Sequence, residues 1–84
     1  MPKRGARATP PRVGRDLRRT TLRLAKSLRR LRAERGWSLR AAARRIGVGA
    51  PAVRRMESGA ANPSLAVLVS VARAFGVPLR ELLR

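Results

Sequence analysis

The sequence runs to 84 residues with a formal net charge of +17 and contains neither Cys nor His. That excludes disulfides, thiol and imidazole catalysis and the usual zinc sites, and four scattered acids (Asp16, Glu34, Glu57, Glu81) give no carboxylate cluster for metal-dependent hydrolysis. Apolar residues at 44% suffice for one small core, whereas 21 Lys and Arg, nearly all Arg, imply an anionic partner, with nucleic acid first among the candidates.

The chain therefore reads as non-enzymatic, with no cofactor and no metal. No run of about eighteen apolar residues occurs and the basic N-terminus lacks an apolar segment, so neither a membrane-spanning helix nor a secretory signal is expected. The reading is a soluble cytoplasmic protein associated with the nucleoid.

Residues 1–14, MPKRGARATPPRVG, are rich in Pro, Gly and basic residues with little to bury, the composition of a disordered basic arm. Such an arm either solubilises the chain or lies along a phosphate backbone or minor groove. Residues 15–84 form the remaining domain.

From Asp16 the pattern turns helical, with Leu17, Thr21, Leu24, Leu28 and Leu31 at three- and four-residue steps. Asp16, Thr20 or Thr21 is the expected N-cap, and Gly36 the stop. Ser38 caps a short second helix, Leu39 to Ile46, that Gly47 interrupts. A third helix is expected over 50–58, ending at Gly59. Ser64 caps a fourth, whose Leu65, Leu68, Val71, Ala72 and Phe75 form one apolar stripe closing at Gly76. Pro78 opens a fifth, with Leu79, Leu82 and Leu83 facing inward. The fold class is all-α, five helices, with no strand pattern and no repeat.

Within residues 39–58 the spacing is that of a helix-turn-helix. Ala43 is small where two helices cross, Gly47 supplies the positive φ of a sharp turn, and Ile46, Val48, Val53 and Met56 lock the pair.

Further short motifs occur in order: L-x-x-L-R at Leu28 to Arg32, G-W-S at 36–38, A-x-x-I-G-V at Ala43 to Val48, V-x-x-M-E-S-G at Val53 to Gly59, N-P-S-L-x-x-L at Asn62 to Leu68, and V-A-x-A-F-G-V at Val71 to Val77. On these residues the stretch 22–83 resembles the Cro and lambda-repressor-like helix-turn-helix (XRE) family. The resemblance implies a five-helix DNA-binding domain acting as a homodimer on a palindromic operator of double-stranded DNA, as a transcriptional regulator and specifically a repressor.

In that family the third helix lies in the major groove. With Val53 and Met56 inward, its outward residues are Ala50, Pro51, Arg54, Arg55 and Ser58. Arg55 is the first candidate for a bidentate contact to guanine, Arg54 divides between a base edge and a phosphate, and Ala50 suits a thymine methyl. By resemblance, phosphate contacts fall on Ser38 at the start of the second helix, and on Ser58 and the loop through Asn62. Arg40 and Arg44, four apart on the second helix, either add charge toward the backbone or form a solvated face. Arg32 and Glu57 match positions that form an internal ion pair between the first and third helices. A lone acid on a phosphate-facing helix needs such a partner.

The chain departs from the family in three places. Leu39 stands where many members carry a phosphate-gripping Gln, and Ala42 where a larger aliphatic is usual. Gly49 replaces a capping Ser, while Pro51 disfavours a helical Ala50, which would start the third helix one residue later.

Alternatives remain. One is the antitoxin of a toxin–antitoxin pair, using the basic arm and the surplus Val67 and Val69 of the fourth helix against a protein toxin. Another is a non-specific nucleic-acid-coating or RNA-binding protein, although no aromatic platform for single strands is present. A third is a membrane-active cationic amphipathic helix at 15–35. No sensor domain is expected after Arg84.

Overall fold

The computed structural model describes Pro10 and residues 12–84; most of the expected basic arm, residues 1–9 and 11, lies outside the described residues. Five helices follow in order: α1 (Gly14–Arg35), α2 (Leu39–Ile46), α3 (Ala50–Glu57), α4 (Leu65–Phe75) and α5 (Leu79–Leu83). None among the described residues is long and apolar enough to cross a membrane.

The start of α1 corrects the sequence expectation. The helix begins at Gly14, inside the stretch assigned to the arm, with Val13 as an N-cap that makes no side-chain bond. Neither Asp16, Thr20 nor Thr21 is the cap. Thr20 donates its hydroxyl to the Asp16 carbonyl (2.8 Å) and Thr21 to that of Arg18 (3.0 Å), the back-bonding of threonines already inside a helix. Asp16 instead sits in the first turn, where a negative charge meets the helix dipole favourably.

The core forms where α1 lies across α3 and α5 while α2 bridges α3 and α4. Leu28, Val53, Met56, Val71 and Leu82 are its largest fully buried side chains, each stabilising by about 1.5–3 kcal/mol. Ala25 and Ala42 fill the tight crossings, and Leu39 is half-buried against the same cluster. The apolar face of α1 is thus spent inside the domain, which removes the surface a membrane-active helix would need.

At one end, Trp37 and Phe75 stack with ring centroids 5.0 Å apart. Arg35 donates to the Phe75 carbonyl (2.6 Å), and the Arg45 guanidinium lies 4.4 Å over the Trp37 ring. Two cations over π faces tie the end of α1 to α2 and α4.

Ser64 caps α4, its Oγ accepting from Val67 N at 3.1 Å. The α4 stripe is shorter than expected, because Leu65 is 66% exposed. Side chains tilt toward a helix N-terminus, so a first-turn residue reaches over the preceding exposed loop instead of the core. Val69 is exposed and Val67 half-buried. Pro78 caps α5 without being its first residue.

Candidate nucleic-acid interface

The α2–α3 pair is built from its turn outward. Ser38 Oγ accepts from Ala41 N (3.0 Å), satisfying one of the unpaired N–H groups at the start of α2. Nine residues after Ser38, Gly47 takes φ 92°, a left-handed conformation costly for any residue with a Cβ. Its N–H and that of Val48 both return to the Ala43 carbonyl, at 2.8 and 3.1 Å, which closes α2 and throws the chain into α3. Gly49 caps α3 without a side-chain bond. Pro51 is accommodated in the first turn, where its missing N–H has no helical partner to lose, so α3 begins at Ala50 and not later. It ends at Glu57, with Ser58 as C-cap outside the helix.

Burial then fixes which way α3 faces. Val53 and Met56 are within the core, and Ala50 is half-buried against it. Pro51, Arg54, Arg55 and Ser58 are exposed. No acid among the described residues lies within salt-bridge distance of Arg54 or Arg55. Arg55 borders a shallow depression whose other walls include Val48, Ala52, Asn62 and Val67, so the structure brings Arg55 and Asn62 to one concave surface. Arg40 and Arg44 are exposed on α2, likewise without an acid partner.

The inner face of α3 carries the opposite charge. Glu57 is buried, and its carboxylate accepts from Arg32 Nε (2.7 Å) and Nη2 (3.0 Å) while Arg32 Nη1 donates to the Trp37 carbonyl (2.9 Å). The hydrogen bonds with Glu57 hold the Arg32 guanidinium above its ordinary pKa, against the opposing effect of burial. Arg29 adds a donor to the Glu57 carbonyl. That second anchor was not foreseen in the sequence, although Arg29 and Arg32 stand three apart on one face of α1 and so reach the same helix end.

The two serines differ in what they have left to offer. Ser38 uses its oxygen as an acceptor in the cap, which leaves its O–H free to donate. Ser58 donates to the Arg55 carbonyl (2.8 Å) and accepts from Ala60 N (3.3 Å), so its single proton is committed inside the protein. A phosphate only accepts hydrogen bonds. Ser38 is therefore the serine equipped to hold one as it stands.

A helix-turn-helix family model matches residues 28–82. The chain is 37% identical over 62 residues to the HTH-type transcriptional regulator DdrOP3 of Deinococcus deserti, a match covering 74% of this chain and 48% of that protein, so it spans about half that relative's length. Among solved structures it is similar to the restriction-modification controller protein C.AhdI of Aeromonas hydrophila, with TM-score 0.70 and 31% identity over 74% of this chain and 94% of that one. It is also similar to the hypothetical transcription factor NHTF of Neisseria, with TM-score 0.74 and 31% identity over 77% of this chain and 75% of that one. An HTH_3 family transcriptional regulator of Vibrio cholerae gives TM-score 0.74 and 27% identity, covering 79% of this chain and 37% of its own.

Proposed function

The chain belongs to the helix-turn-helix family of DNA-binding transcriptional regulators, and from that premise we propose that it reads a specific duplex sequence through the outward face of α3. The observation that carries this reading is the division of α3: Val53, Met56 and Glu57 hold it in place from inside, while Arg54 and Arg55 stand exposed outside, without an acid partner among the described residues. Arg55 is the base reader, bidentate to guanine, with Arg54 beside it and Ala50 and Pro51 at the entrance to the groove. Ser38, Arg40, Arg44 and Asn62 hold the phosphates on either side, and Ser58 supports α3 from within the loop. The protein acts as a repressor, a homodimer on a palindromic operator that blocks polymerase access.

The exposed Leu65 and Val69 on α4 supply an apolar surface for the second subunit. The same surface favours a second reading, in which the domain is an antitoxin and the apolar face covers a protein toxin; co-purification with a small acidic protein would support that.

Selection on randomised duplex DNA at near-physiological salt tests the main reading. The expected result is a palindromic motif with half-sites about one helical turn apart. If scrambled duplexes bind as well as the winners, the protein coats nucleic acid without reading it.

A further inference from the structure

The first turns of α1 carry little into the core, with only Leu17 and Thr20 half-buried. Between Gly14 and Thr20 no residue is buried; the first buried position is Thr21. The family match begins only at residue 28. Along this projection and the next turn stand Arg15, Arg18, Arg19 and Arg23, all exposed, against the single acid Asp16, itself held only by an exposed 3.7 Å pairing with Arg19.

Such a segment is costly on its own. Arg15, Arg19 and Arg23 repeat at i, i+4, and like charges at that spacing destabilise a helix by about 0.2–0.5 kcal/mol per pair. These turns, with only Leu17 and Thr20 half-buried, have little packing to offset that. An anion laid along the row reverses the sign of the effect.

Its position also points to one partner. Leu22, at the root of the projection, abuts the loop that follows α3: a Cβ at Gly59 would lie 2.9 Å from Leu22 Cδ2. That loop carries Asn62, assigned above to a phosphate. The eight residues from Gly14 to Thr21 then extend about 12 Å beyond this contact. Each strand of a duplex carries about one charge per 3.4 Å of the axis, so that length passes about three or four phosphates of one backbone.

We infer that the N-terminal turns of α1 are a phosphate rail, in which Arg15, Arg18, Arg19 and Arg23 grip duplex DNA beside the bases read by α3. This rests on the DNA-binding reading above. The rail adds affinity and salt sensitivity but no base preference, and it tightens as a helix when DNA is bound.

The test compares the whole chain with the variant R15Q/R18Q/R19Q/R23Q on a 40-base-pair duplex of scrambled sequence, as log K against log salt. With two to four phosphates lost, the slope falls by about 2 to 3.5, at about 0.9 per contact. The variant melts no lower than the unsubstituted chain, because none of the four residues is in the core and the like-charge row is removed, and it selects the same motif from a randomised pool. Helical circular dichroism rises on DNA addition for the unsubstituted chain and not for the variant. An unchanged slope overturns the inference, as does an unchanged slope accompanied by lost binding to anionic phosphatidylglycerol vesicles, which would give the rail to a membrane. A selected motif with an unchanged slope sinks the rail alone; failure of the unsubstituted chain to bind any duplex sinks the DNA reading with it.

Discussion

The two faces of α3 differ in what they can tolerate. Inside, Val53, Met56 and Glu57 are each 9% exposed or less and Glu57 is gripped by two arginines. Outside, Arg54 and Arg55 are exposed, with no acid among the described residues within salt-bridge distance. A helix of eight residues thus carries fold and function on opposite sides. Substitutions should separate by face: those inside shift stability and leave base preference intact, and those outside do the reverse.

The largest effect is expected at Met56. Its replacement by Ala removes a fully buried side chain and should cost about 2–5 kcal/mol in denaturant unfolding, while the fraction that stays folded keeps its base preference. A variant that melts normally but selects a different motif would break the division. Glu57→Ala comes next. It leaves the Arg32 guanidinium with only the Trp37 carbonyl, and should cost about 1–3 kcal/mol, below the figure for a fully buried pair because the Arg32 side chain is 26% exposed. Binding falls with stability. A fold of undiminished stability with tighter DNA binding would mean that Glu57 acts by repelling phosphate and not by supporting α3.

Arg55→Ala should move the other axis. Stability stays within about 0.5 kcal/mol, as for an exposed side chain whose removal leaves the backbone bonds of the cap in place. Preference at one base position relaxes by about 1–3 kcal/mol, read by repeating the selection. Arg40→Ala and Arg44→Ala sharpen the contrast from outside α3: each should weaken binding to all sequences alike and lower the salt slope by about 0.9.

How much of this was legible in the sequence follows the range of the forces involved. The caps at Ser38 and Ser64 and the turn at Gly47 are set by neighbours within four residues, and the sequence shows them directly. The exposure of Leu65 depends on whether another element covers it, which no local pattern states. The start of α1 escaped by two residues because Gly14 and Arg15, ahead of the stripe that begins at Leu17, carry nothing apolar. Arginines were the hardest to sort. With so many in the chain, only tertiary placement distinguishes Arg29 on the Glu57 carbonyl and Arg45 over Trp37 from Arg55 facing outward. The sequence showed Ser58 as exposed and polar; that its proton is already spent on Arg55 is a matter of geometry.

The smallest effect concerns the two serines, and it separates a cap from a contact. Ser38→Ala should cost about 1 kcal/mol of stability by removing the cap, whatever DNA does. Ser38→Asp is more informative: aspartate caps as well as serine and its charge suits the start of a helix, so melting should hold or rise slightly. Yet Asp has no proton to donate and turns a negative charge toward the phosphate, so affinity for every duplex should fall together. At Ser58 the same substitution to Ala removes only internal hydrogen bonds, worth about 0.5–1.5 kcal/mol of stability, and leaves the motif selected unchanged. Undiminished affinity in Ser38→Asp would show that the start of α2 does not face the backbone, and the phosphate grip would then rest on Arg44, Asn62 and the α1 rail.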